Sequence, residues 1–255
     1  MVMITGIDEA GRGALIGPLV VAGITIDSEV EKKLARLGVK DSKRLTPKRR
    51  EELAPKIMEA ARSHGVSGSV IIPIPPCKID SYRKEKINLD TIEIRAMAEI
   101  VDIIGGSKVY IDALTSNPAR FKQRLMEALQ TKRAEEDIIA ENYADDNYVV
   151  VGAASIIAKV ERDKAIEEIK RKVGIDFGVG YPHDQRTIDF VESLIKSRQP
   201  LPSFVRKSWI TTQLLQEKNW QRRLKDFFAK DFITGKKEIK KQDKEGKSAS
   251  SECGR

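Results

Sequence analysis

The sequence predicts a mixed α/β fold in which one sheet is covered by helices. Short β-rich runs come first in the chain, and strand-like runs then alternate with stretches of helical periodicity. The clearest such stretch is Asn88–Ile104, where Leu89, Ile92, Ala96, Ile100 and Ile103 recur three or four residues apart.

Taken in order, the first strand is Met3–Asp8 and the second is Leu19–Ile26, after the Gly17-Pro18 break. Thr46-Pro47 opens a helix running to about His64, with Thr46 as N-cap and Pro47 in its first turn. Val66–Ile74 is strand-like, and Pro73, Pro75 and Pro76 bring it to an end. The Asn88–Ile104 helix stops at Gly105-Gly106, and Lys108–Asp112 is a short strand. A helix starts near Asn117-Pro118, and Asp137–Glu141 is a further strand. A long helix follows from about Tyr148 to Val173, where Gly152, Ala153, Ala154, Ser155 and Ala158 permit close packing on a sheet. Helices near Asp184–Ser197 and Ser203–Lys218 complete the folded body.

A chain of 255 residues can bury a substantial core. The folded domain is expected over residues 1–219, followed by a tail over 220–255. The formal net charge is +8, and the tail, with 11 basic and 6 acidic residues, carries +5 of it. Any nucleic-acid groove on the body is therefore a local feature. Past about Ile233 the chain is rich in Lys, Glu, Gly and Ser and is expected to be disordered. Cys77 and Cys253 give no disulfide framework, and no Cys/His cluster suggests zinc. With no leader pattern and no run of membrane-spanning length, a soluble cytoplasmic protein with no membrane partner is expected.

Four carboxylates stand where strands or loops meet the next element. Asp8 and Glu9 close the first strand before Gly11-Arg12-Gly13, Asp112 ends Val109-Tyr110-Ile111, and Asp145 precedes the long helix. Adjacent strand residues point to opposite faces, so Asp8 and Glu9 share a site only if the chain bends there. Singly, Asp145 also fits a helix N-cap and Asp112 a turn. Jointly, an apolar strand delivers a carboxylate at its end twice. Clustered carboxylates with few His or Cys donors favour Mg2+ or Mn2+. Such ions serve phosphodiester hydrolysis by activating water and stabilising the leaving oxygen.

The motifs resemble those of ribonuclease HII, and the overall length fits its archaeal branch. Gly6-Ile7-Asp8-Glu9-Ala10-Gly11-Arg12-Gly13 with Gly17-Pro18 is similar to its opening motif, and Lys40-Asp41-Ser42-Lys43-Arg44-Leu45 to its second. Tyr110-Ile111-Asp112-Ala113 and Ala144-Asp145 with Ala153-Ala154-Ser155 through Lys159-Val160-Glu161-Arg162-Asp163 follow in family order. Gly178-Val179-Gly180-Tyr181-Pro182 is the fifth.

The resemblance implies a ribonuclease H-like fold, a mixed five-stranded sheet flanked by helices with a C-terminal helical extension. It implies an endoribonuclease that cuts the RNA strand of RNA–DNA hybrids and cuts 5′ of ribonucleotides embedded in duplex DNA. The products would carry 5′-phosphate and 3′-hydroxyl ends. Asp8, Glu9, Asp112 and Asp145 would be the catalytic quartet and would hold two ions, Mg2+ or Mn2+. Gly11, Arg12 and Gly13 would read the 2′-hydroxyl, Tyr181 the sugar beside the junction, and Ser42 and Lys43 a phosphate. Ser155, Lys159 and Asp163 share a helix face that the match places near the substrate strand. The residues alone also allow a tight turn at 11–13, a loop-packing Tyr181, a polar loop at 42–43 and a Lys159–Asp163 rung. Asp146-Asn147 departs from the family pattern and leaves the local phosphate contact open. No catalytic role is expected for His64 or His183.

In the tail, Gln221, Leu224, Phe227 and Phe228 fit Gln-x-x-Leu-x-x-Phe-Phe, a peptide by which replication and repair proteins bind a sliding clamp. The same residues also fit a last amphipathic turn packed on the body. A monomer is expected. Two alternatives stand beside this reading: a non-catalytic nucleic-acid or clamp adaptor, and another ribonuclease H-fold nuclease such as a resolvase. A dinucleotide site is excluded because Ile16 replaces the third glycine of G-x-G-x-x-G, and no GxxxxGK[ST] occurs.

Overall fold

A computed structural model of the chain describes residues 2–39, 45–62 and 68–224. Its centre is a five-stranded mixed sheet of order β3-β2-β1-β4-β5. The strands are β1 (Met3–Ala10), β2 (Leu19–Asp27), β3 (Ser69–Ile74), β4 (Lys108–Asp112) and β5 (Ile138–Glu141). The β3-β2-β1 half is antiparallel, while β4 lies parallel to both β1 and β5. Helices cover both faces, which is why β2 is buried along its whole length rather than alternating.

One face packs on α1 (Ser28–Arg36), α2 (Pro47–Arg62) and α7 (Val149–Val173), through Ile4, Val20, Ile24, Leu53 and Ile156 among others. The other packs on α4 (Leu89–Ile104) and α5 (Pro118–Ala128), through Ile7, Val21, Ile100, Val109 and Phe121. A smaller cluster joins Leu15 and Ile16 to Phe177, α8 (Gln185–Lys196) and Val205.

Gly6 sets the spacing on the first face. A Cβ there would lie 2.3 Å from the backbone carbonyl group of Val150, so only glycine lets the start of α7 settle onto β1. Gly152, Ala153, Ala154, Ser155 and Ala158 are all buried at this contact, as their small size suggests.

The sequence-derived elements recur with informative differences. Asn88 caps α4, Asn117 caps α5 and Asp184 caps α8, each through its side-chain oxygen. The Thr46 hydroxyl accepts from Arg49 N at the start of α2. Helices α1 and α3 (Pro76–Lys84) were not anticipated. Pro76 starts α3 instead of only ending the strand, because proline suits a first helical turn. Pro73 lies inside β3, which tolerates it as an edge strand. Strand β1 continues through Asp8 and Glu9 to Ala10. The long helix is preceded by a separate turn, α6 (Ala144–Asn147). The final helix, α9, spans 210–224 instead of starting at Ser203, and crosses the expected domain boundary. Val66, His64 and the basic tail beyond Leu224 lie outside the described residues. Among the described residues, no helix is long and apolar enough to cross a membrane.

Candidate active site

The carboxyl ends of β1 and β4 are neighbours in a parallel pair, which brings Asp8, Glu9 and Asp112 to one edge of the sheet. The chain does not bend between Asp8 and Glu9. Asp8 faces α7 and interacts with Ser155, whereas Glu9 lies on the α4 side and feels Glu93. Asp112 acts on both carboxyls from the adjoining strand.

The electrostatics of this edge are unfavourable for charge. Burial pushes the Asp8 carboxyl up, and the Asp112 charge adds to that, although the Ser155 hydroxyl and the Lys159 ammonium pull it back. Glu9 is pushed well above the usual carboxylate range by burial, then by Asp8, Glu93 and Asp112. Its Oε2 is a buried acceptor without a hydrogen-bond partner.

Asp145 is buried as the second residue of α6. Neither α6 nor α7 has a side-chain cap, so the N-cap explanation for Asp145 fails. Asp112 Oδ1 accepts from Ala144 N at 3.0 Å, which ties the turn carrying Asp145 to the end of β4. Among the described residues, no three His, Cys, Asp or Glu are gathered closely enough to hold an ion as they stand. The donor chemistry nevertheless fits a hard divalent cation: oxygen donors only, mutually repelling charges, and an unsatisfied buried Glu9 oxygen.

Beside Glu9 lies a groove of about 730 Å³, lined by Glu9, residues 11–13, Arg50, Lys159, Arg162 and Tyr181 among others. Gly11 has φ 89°, and a Cβ there would lie 2.5 Å from the Pro18 carbonyl oxygen. The Arg12 guanidinium turns to α4, pairing with Asp90 at 2.5 Å and donating to the Leu114 carbonyl at 3.3 Å. Its Nη1 stands 3.1 Å from Glu93 without making a hydrogen bond, so both buried Glu93 oxygens lack one. Burial therefore outweighs the ion pair, and the Glu93 pKa rises to about 7.

Lys159 Nζ donates to Ser155 Oγ at 2.7 Å, so the stripe on α7 leads to Asp8. In place of the alternative Lys159–Asp163 rung, Asp163 pairs with Arg50 at 3.1 Å and Arg162 at 3.3 Å. The Arg162 guanidinium lies 4.3 Å from the Tyr181 ring centroid, and the His183 ring stacks on Tyr181 at 5.4 Å. Ser42 and Lys43 lie outside the described residues. Gln221 and Leu224 are exposed on α9, while Phe227 and Phe228 fall outside the described residues.

Sequence reasoning missed two arginines. Arg162 supports Tyr181 and also donates to the Val179 carbonyl at 2.5 Å. Arg206 is fully buried and donates to the carbonyls of Gly11, Arg12 and Gly17. Its setting in Phe204-Val205-Arg206-Lys207-Ser208-Trp209 is a weak signal, a charge flanked by large apolar residues.

The family model of ribonuclease HII matches residues 5–212, a span that includes the acids, the 11–13 loop, Tyr181 and Arg206. The chain belongs to the ribonuclease HII family. A ribonuclease HII of Methanothermobacter thermautotrophicus is 46% identical over 213 residues, covering 82% of this chain and 97% of that protein. The crystal structure of ribonuclease H2 from Pyrococcus horikoshii superposes with TM-score 0.75 at 36% identity, covering 85% of this chain and 98% of that one. The ribonuclease HII of Archaeoglobus fulgidus, solved as a complex with PCNA, gives TM-score 0.71 at 40% identity over 81% of this chain and 95% of that one. Family membership and fold together make this chain a ribonuclease H-type nuclease.

Proposed function

We propose that the chain hydrolyses the RNA strand of RNA–DNA hybrids and cuts 5′ of ribonucleotides embedded in duplex DNA, leaving 5′-phosphate and 3′-hydroxyl ends. The observation that carries this reading is the meeting of Asp8, Glu9 and Asp112 at one sheet edge beside the Gly11–Gly13 loop.

Asp8, Glu9, Asp112 and Asp145 would hold two Mg2+ or Mn2+ ions. Bound there, such ions would supply water activation and charge neutralisation at the leaving oxygen. The chain's own groups do the rest. Ser155 and Lys159 hold Asp8 in place and favour its ionised form. Arg206 fixes the backbone of residues 11–13, whose approach to a ribose lets the 2′-hydroxyl be recognised. With the Arg12 side chain committed to α4, it is the backbone of the loop that faces substrate. Tyr181, braced by Arg162, packs beside the sugar at the junction.

Residues 1–219 would form the catalytic unit of a cytoplasmic monomer. The 221–228 motif would dock a sliding clamp, in keeping with the Archaeoglobus relative's complex with PCNA. A duplex DNA with one ribonucleotide, incubated with Mg2+ or Mn2+, tests the reaction. Cleavage 5′ of the ribonucleotide is expected, falling about a thousandfold or more in Asp112→Asn while duplex binding persists. Binding without cleavage by the unaltered protein would favour a non-catalytic adaptor.

A further inference from the structure

Among the described residues, Lys86, Tyr143 and Arg198 are the positive-φ positions that are not glycine, each with φ 62°. Lys86 and Arg198 lie just beyond the ends of α3 and α8, where a left-handed residue commonly closes a helix. Tyr143 instead precedes a helix. It is the N-cap of α6, a position that normally takes extended backbone, and its side chain makes no capping hydrogen bond.

The backbone conformation has an evident purpose. It turns the chain out of β5 so that Ala144 N reaches Asp112 and Asp145 becomes buried. Glycine or asparagine would make that turn with less strain. Tyrosine instead adds a large ring that is 68% exposed, so the fold gains little apolar burial from it. Most of the side chain is thus open to whatever approaches from outside, and Asp145 is only two residues away.

We propose that Tyr143 is a substrate contact, its ring packing on a sugar–base face of the duplex on the side of the acids opposite Tyr181. This rests on the nuclease reading above. Glu141 pairs in register with Asp112, so Tyr143 follows closely beyond the edge that carries the acids. Crossing from β1 through β4 to β5 spans two strand spacings, on the order of 10 Å. At about 3.4 Å of axial rise per nucleotide, the contact falls roughly three nucleotides from the acids of β1. Tyr181 stands on the other flank, beside the 11–13 loop that follows β1. Two aromatic contacts would thus bracket the bond to be cut. Every base and sugar offers an apolar face, so the contact adds affinity with little dependence on sequence.

The test uses the full chain with Tyr143→Gly, Tyr143→Asn and Tyr143→Phe. A fluorescent DNA duplex with one ribonucleotide is titrated in Ca2+ for binding and turned over in Mg2+ for KM and kcat. Glycine and asparagine both accept φ 62°, so at least one loss-of-ring variant keeps the fold, which thermal unfolding verifies. Tyr143→Gly and Tyr143→Asn should raise Kd and KM roughly tenfold, while Tyr143→Phe stays within about twofold of the unaltered chain. The slope of log Kd against log salt should not change, because no phosphate contact is lost. Ring-free variants within about twofold of the unaltered chain would overturn the proposal, as would a Tyr143→Phe loss equal to theirs. An unaltered chain that binds but does not cut would refute the nuclease reading, and the Kd comparison would still decide the role of Tyr143.

Discussion

Arg206 Nη2 donates to the carbonyl oxygen of Gly11 at 2.6 Å, joining residues 195 positions apart. Further bonds run from the same guanidinium to Arg12 at 2.7 Å and to Gly17 at 3.2 Å, and it lies over the Trp209 ring. Burial draws its pKa down to about 10, which still leaves it charged at neutral pH. One planar, charged fork thus fixes both ends of the loop that approaches substrate. In Arg206→Lys a single ammonium cannot reach these carbonyls together. A stability loss of about 2–4 kcal/mol is expected from unsatisfied buried carbonyls and a poorly paired buried charge. Loop displacement should lower kcat/KM on a single-ribonucleotide duplex about a hundredfold. Denaturant unfolding and steady-state cleavage measure the two effects, and wild-type values in both would remove Arg206 from this role.

Glu93 makes stability depend on pH. Its folded pKa is raised from 4.5 to about 7 by burial, so the folded state holds the proton more tightly than the unfolded chain. Stability from this group therefore declines as pH rises from about 4.5 to about 7, by on the order of 3 kcal/mol, and is flat above that. Glu93→Gln cannot ionise. Its stability relative to the unaltered protein should grow between pH 5 and pH 8, as read by unfolding midpoints, and parallel curves would contradict the assignment.

Gly6→Ala tests the packing of α7 on β1. The added Cβ would meet Val150 backbone at 2.3 Å, and backbone cannot swing aside as a side chain can. A loss of about 3 kcal/mol is expected from this overpacking. Activity should fall with it because Ser155 and Lys159 ride on the same helix. A change below about 1 kcal/mol in chemical denaturation would show that the helix can shift freely.

Phe227→Ala combined with Phe228→Ala should abolish binding to a sliding clamp and leave duplex cleavage intact. Calorimetry against the purified clamp measures the first and the cleavage assay the second. Unchanged clamp affinity would refute the motif.

The sheet and the acids were legible because each strand announces itself locally. Val109-Tyr110-Ile111 is an apolar run ending in Asp112, and Asn88 with its spaced apolar residues marks α4. Helix α1 was passed over because it is short and Leu34 is its one buried residue, although Val30, Leu34 and Leu37 do recur at helical spacing. Helix α3 hid behind Pro75-Pro76, a pair that reads equally as a break and as a helix start. Arg206 and Arg162 escaped for a different reason. Their partners are backbone carbonyls and an aromatic ring brought near only by the tertiary fold, and no local pattern encodes that. Asp8 and Glu9 illustrate a third case. Alternation along β1 was read correctly, yet the chain meets it without a bend, by using both sides of one sheet edge.

Helix α7 begins in a buried contact with β1 and continues into the groove wall, where it presents Lys159, Arg162 and Asp163. A wall rooted in this way cannot soften locally without loosening the sheet behind it. The groove should therefore act on an incoming duplex as a rigid gauge, with most of the adjustment of shape falling to the nucleic acid. Heat inactivation should then coincide with global unfolding, with no prior stage in which a still-folded enzyme has lost its fit.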